Sequence, residues 1–142
     1  MIISTLIIHS AIFGFMLFFA AVISPAAIKV LDSNSASTFL RYIFPRIFAF
    51  GFLVTLLATI TSFIAFSYTD FIFLISIISS ILFVVNWLVI TPKINSYRDL
   101  VLGGDISAKK VFGMLHGVSV GFFFIQMVGS GLAIYLIMPS IS

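Results

Sequence analysis

The chain has no cysteine and no glutamate. The first absence excludes disulfides, iron–sulfur clusters, thiolate metal sites and cysteine nucleophiles, and it leaves the redox compartment unreported. The second leaves Asp32, Asp70, Asp99 and Asp105 as the acidic side chains. Charge of either sign is scarce, at 8% of residues against about 25% in soluble domains, so most side chains have no means of facing water. No HExxH, GxSxG or P-loop pattern occurs. Gly103-Gly104 reads as a turn and not as a phosphate cradle. The N-terminus lacks a basic n-region and a small-residue cleavage site, so it reads as a retained first span. No lipidation motif is present.

What the chain does have is apolar length. Of its 142 residues 62% are hydrophobic, more than a water-soluble fold of this size could hide. Four stretches are long enough to cross about 30 Å of hydrocarbon, which takes about 20 helical residues. They run from about 2 to 24, 47 to 67, 71 to 90 and 111 to 138. Hydrocarbon admits only helices or closed barrels, and continuous rather than alternating apolar runs mean helices. The expected fold is an all-α, four-helix transmembrane bundle, one integral membrane domain over 1–142 without internal repeats.

All seven basic residues lie in two of the three polar breaks. Lys29, Arg41 and Arg46 fall in the first, and Lys93, Arg98, Lys109 and Lys110 in the third. Four antiparallel spans place those breaks on one face. The positive-inside rule makes that face cytoplasmic and both termini periplasmic, as in a bacterial inner membrane. It also explains the net charge of +3, so no nucleic-acid partner is expected. The bilayer is the expected partner, with a larger membrane complex or a homodimer open beside it. The second break, Tyr68-Thr69-Asp70, is short enough for a tight hairpin. In the first, Asn34 or Ser35 can cap a short interfacial helix whose apolar side is Ala36, Phe39, Leu40, Ile43 and Phe44. In the third, Asp105 or Ser107 can cap the helix that becomes span four.

Polar residues inside spans should face the bundle. His116, Ser119, Gln126 and Ser130 share one face of span four. Ser76, Ser79 and Asn86 do so in span three, Gly51, Thr55 and Ser62 in span two, and His9, Met16, Ala20 and Ser24 in span one. Ordinary packing explains such seams, and a water-filled or ligand-bearing cavity is the alternative. Gly113, Gly117 and Gly121 form a doubled GxxxG, expected to pack against another span of the same chain, with a homodimer seam as the alternative. Two histidines invite haem b. At 1.5 Å per residue, however, His9 lies about 10 Å below the outer edge and His116 about 8 Å from the inner edge. The resulting separation of roughly 12 Å exceeds the ~4 Å that one shared iron allows. No metal site is expected. Asn86, Asn95, Arg98, Asp99, His116 and Ser119 gather at the cytoplasmic end and form the candidate polar site, with His116 expected to bond to Asn86 or Asn95.

Two segments carry a resemblance. Pro92-Lys93-Ile94-Asn95, then Arg98-Asp99, then Phe112-Gly113-x-Leu115-His116-Gly117-x-Ser119, resemble the transmembrane-protein-205-like family. Ser24-Pro25 and Phe44-Pro45-Arg46 are similar to its earlier parts. The resemblance implies a four-span membrane protein of unknown reaction. His9 departs from that pattern. The functional reading is a non-enzymatic accessory protein or complex subunit. A haem-dependent membrane oxidoreductase and a small dimeric transporter remain alternatives.

Overall fold

The computed structural model describes residues 1–67 and 70–141, and these form four long helices. They are α1 (Ile2–Val30), α2 (Ser33–Ala65), α3 (Phe71–Leu102) and α4 (Ala108–Ser140), each long and apolar enough to cross a membrane. The described residues contain no strand. The helices form a ring in chain order, in which α1 and α3 each pack against α2 and α4. Of the turn expected at Tyr68-Thr69-Asp70, Tyr68 and Thr69 lie outside the described residues.

Aspartates start three of the helices. Asp32 accepts from the backbone N–H groups of Asn34 and Ser35, both at 3.0 Å, so the cap of α2 precedes the residues expected for it. Asp70 is a cap and not merely a loop residue, accepting from Ile72 N at 2.8 Å. Asp105 accepts from Ser107 N at 2.9 Å and Ala108 N at 3.3 Å at the start of α4. The hydroxyl of Ser107, together with these N–H groups, holds the Asp105 carboxyl below the usual carboxylate range. Gly104 has φ 95, which an L side chain would resist, and turns the chain between α3 and α4.

The expected interfacial helix is not separate. Its residues form the first turns of the 33-residue α2, which runs through Pro45. Proline fixes φ near a helical value and costs the helix one backbone bond, so it bends a helix more readily than it ends one. Likewise α1 and α3 outrun their apolar stretches, each by way of a single π-helical turn, Phe19–Ile23 and Asn86–Ile90. Each π turn is followed by a hydroxyl residue and a proline, Ser24-Pro25 and Thr91-Pro92.

These paired features belong to an internal repeat that the sequence reading did not find. Adding 67 to the buried positions Thr5, His9, Ile12, Met16 and Phe19 of α1 gives Ile72, Ser76, Ser79, Phe83 and Asn86, all buried in α3. The same shift carries the first π turn onto the second. Adding 75 to Gly51, Thr55, Ala58 and Ser62 of α2 gives Gln126, Ser130, Ala133 and Ile137, all buried in α4. The hairpins α1–α2 and α3–α4 are therefore related by a pseudo-two-fold axis down the bundle. Residue types hide it, since glycine faces glutamine and histidine faces serine.

Most of the surface is apolar, as lipid requires, and the buried core is small: Ile12, Met16, Phe48, Ala58 and Phe83. Gly51 is its tightest point, where a Cβ would overlap the Phe83 ring. The doubled GxxxG behaves otherwise. A Cβ at Gly113, Gly117 or Gly121 meets nothing within 4 Å, which corrects the expectation that this seam packs inside the chain. The inward face of α4 is set by Ser119, Gln126 and Ser130, so the glycines face outward. Gly51→Ala should therefore lower stability by about 1–3 kcal/mol through overpacking. Gly117→Ala should leave the monomer as stable or slightly more so, because alanine favours helix. Thermal unfolding in detergent distinguishes them, and equal losses at both positions would contradict this packing.

Candidate functional site

Two polar regions lie along the bundle axis. The first surrounds His9, whose side chain is fully buried. Its Nε2 is 3.0 Å from Ser76 Oγ and its Nδ1 is 3.5 Å from Ser130 Oγ. The Ser76 hydroxyl donates to the carbonyl of Ile72 at 2.7 Å, so it accepts from His9. This fixes the proton on Nε2 and leaves Nδ1 to accept from Ser130. His9 and Ser76 are mates under the 67-residue shift, and a contact between mates lies on the pseudo-two-fold axis. His9 thus ties α1 to α3 and α4 at once. Departure from the family pattern gave no hint of this. The usable signal was its place on the small-residue seam of span one.

The second region is a cavity of about 270 Å³ at the end of the bundle that carries the basic residues. The repeat brings its walls together in mates: Ser24 with Thr91, Arg41 with His116, and Phe48 with Phe123 all line it. Ser37 with Phe112 and Phe44 with Ser119 are further such pairs, whereas Asn95 and Arg98 are among the lining residues without a mate there. The cavity therefore also lies on the axis, between the π turns. Its deeper walls are phenylalanines. Its rim carries Arg41, Asn95, Arg98 and His116.

Of the six candidate residues, Asn95, Arg98, His116 and Ser119 line this cavity. Asn86 and Asp99 do not appear in its lining. Asn86 is fully buried and donates from Nδ2 to the Ser119 carbonyl at 3.3 Å. Its expected link to His116 is replaced by this bond. The exposed His116 ring stacks on Phe112 instead, with centroids 6.2 Å apart. Asp99 is held by Arg41 through two bonds of 2.6 and 2.7 Å, a pairing across α2 and α3 that sequence spacing could not reveal. At 39% and 55% side-chain exposure it contributes little stability by itself. Thr91 was not singled out from the sequence. It lines the cavity at 6% exposure, and its hydroxyl has no hydrogen-bond partner. Among the described residues, no three His, Cys, Asp or Glu side chains are grouped to hold a metal ion.

A family described as a domain of unknown function (DUF4149) matches residues 7–100. The chain belongs to that family. The DUF4149 match takes in α1, α2 and most of α3, with Thr91, Asn95 and Arg98, and stops short of His116 and the glycine seam. No curated protein and no solved structure matches the chain. The family name carries no reaction, so the chemistry has to be argued from the two polar regions.

The two regions call for different responses to mutation. His9→Ala removes a buried ring and two interhelical bonds, and should cost about 2 kcal/mol from cavity formation with a modest hydrogen-bond contribution. His116→Ala should stay within about 0.5 kcal/mol, as exposed positions do. Thermal unfolding of both variants checks this, and a larger loss at His116 would reverse the assignment of His9 as the structural histidine.

Proposed function

We propose that this small multi-pass membrane protein is non-enzymatic and holds a small amphipathic molecule in the cavity at its basic end, as an accessory protein or as a subunit of a larger membrane complex. The observation that carries the reading is the cavity itself, lined by phenylalanines and by the polar side chains of Arg41, Asn95, Arg98 and His116. Asp99, the carboxylate of the Arg-Asp motif, is engaged by Arg41 and is not placed as a free general base. Kinship with the transmembrane-protein-205-like family belongs to the same reading. It rests on Pro92 to Asn95, Arg98-Asp99 and Phe112 to Ser119.

The proposed setting is a bacterial inner membrane with the basic end cytoplasmic, supported by the gathering of all seven Lys and Arg residues at that end. A cysteine at Asp70 should then label from the periplasm and one at Ser107 should not, in a chain with no cysteine of its own. The reverse pattern would invert the topology.

Ligand occupancy is tested by extracting the protein from its native membrane directly into nanodiscs and identifying retained small molecules by mass spectrometry. A near-stoichiometric amphiphile is expected, and Val120→Trp, which fills the cavity from its wall, should lose it. Identical small-molecule content in both preparations would contradict the reading.

A further inference from the structure

We infer that the occupant of the cavity is a single-chain anionic amphiphile, its carboxylate or phosphate head beside Arg98 and His116 and its chain among the phenylalanines below. The inference rests on the proposed ligand-binding reading and deepens it by fixing charge and shape.

The charge follows from how the repeat is broken. On one side of the axis Arg41 has its carboxylate, Asp99, bound through both oxygens at 2.6 and 2.7 Å. On the other side the mate of Arg41 is His116. The mate of Asp99 under the 67-residue shift is Asp32, and Asp32 is committed to capping α2 through Asn34 and Ser35. So on the second side a histidine stands at the cavity wall in place of a guanidinium, and the mate of the acid is used as a helix cap. Arg98 adds a full positive charge at the same rim. Both oxygens of adjacent Asp99 are taken by Arg41, and the Arg41–Asp99 pair is the salt bridge found among the described residues. The cavity rim therefore carries one guanidinium bound to a carboxylate, Arg41, and a second, Arg98, that feels the charge of Asp99 without forming an ion pair with it. An anionic head gives Arg98 a partner of the kind that Asp99 gives Arg41.

The donors at hand suit such a head. Arg98 offers a planar fork of N–H groups, which favours carboxylate and phosphate oxygens, and His116 a ring N–H. The size sets the rest. About 270 Å³ lies just under the usual range for ligand cavities, roughly 300–1,000 Å³, and suits a single chain. Phe44, Phe48 and Phe123 supply the apolar wall for that chain.

The test is equilibrium binding of three radiolabelled probes of equal chain length, dodecanoate, dodecyl phosphate and dodecanol, to the protein in zwitterionic nanodiscs, with empty nanodiscs subtracted. At least one anionic probe is expected to bind saturably and at least about tenfold more tightly than the alcohol, since bonds to a charged group are worth about 1.5–3 kcal/mol. The better of the two anions says whether the head is a carboxylate or a phosphate. Added salt should erode the preference, because the rim is partly exposed. Arg98→Gln combined with His116→Gln should remove the preference and leave dodecanol within about twofold. Equal binding of acid, phosphate and alcohol by the unaltered protein overturns the anionic assignment and leaves amphiphile binding standing, and this comparison needs no variant to fold. An anionic preference that survives in a folded double variant overturns the placement of the head. Saturable binding of none of the probes overturns both this inference and the ligand-binding reading beneath it.

Discussion

Hydrocarbon offers no hydrogen bonds, so each polar side chain within a span must find its partner inside the bundle or at a cavity. That requirement organises the molecule more than apolar packing does. The outer surface is as greasy as its surroundings, so burying more of it gains little. What is distinctive is turned inward: His9 between Ser76 and Ser130, Gln126 on the carbonyl of Ser79, and Asn86 on the carbonyl of Ser119. Each of these bonds crosses from one helix to another. Together they fix the rotation of α1, α3 and α4 about their own axes, and the close approach of Gly51 to Phe83 fixes α2 against α3.

The same requirement separates the two polar regions by chemistry. Around His9 the partners are neutral hydroxyls, the side chains are fully buried and the network closes on itself. At the basic end phenylalanines line a cavity beside charged and polar side chains, and among the described residues the unmatched buried polar atoms are Thr91 Oγ1 there and Asn86 Oδ1 and Gln126 Oε1 away from it. The π turns of α1 and α3 stand at equivalent places in the two hairpins. Such turns add a residue to the helical circuit and often mark functional positions. Here they deliver Ser24 and Thr91 to opposite walls of one cavity. The repeat builds the cavity, and the departures from the repeat give it a polarity.

Length and charge placement made the four helices and the shared basic end legible in the sequence, because hydrocarbon thickness sets span length and loop charge sets the grouping. The inward stripes of spans two and three were legible for the same reason, since Ser76, Ser79, Asn86, Gly51, Thr55 and Ser62 are all buried, whereas Ala20 on the span-one stripe and His116 on the span-four stripe are exposed. The continuity of α2 through Pro45 was not, since a proline reads equally as a start or a bend. The GxxxG pattern was misleading. Small residues permit close approach but do not compel it, and the polar face of α4 outcompeted the glycine face for the interior. The repeat was hidden because it conserves burial and not residue type. In the site, Asn95, Arg98, His116 and Ser119 could be grouped by depth alone. Thr91 could not, because nothing in a lone threonine before a proline says that its hydroxyl will be buried without a partner.

The polar interior opens at the basic end and nowhere deeper. A chain without cysteine makes this directly measurable. Single cysteines at Ser24 and Ser119, in the cavity wall, and at Ser62 and Ser130, on the sealed seam, can be exposed to a small water-soluble thiol reagent in reconstituted bilayers. Modification is expected at Ser24 and Ser119 from the basic side, with Ser62 and Ser130 protected for as long as the protein stays folded. Equal reactivity at all four positions, or reaction at Ser62 and Ser130 ahead of the cavity pair, would contradict it.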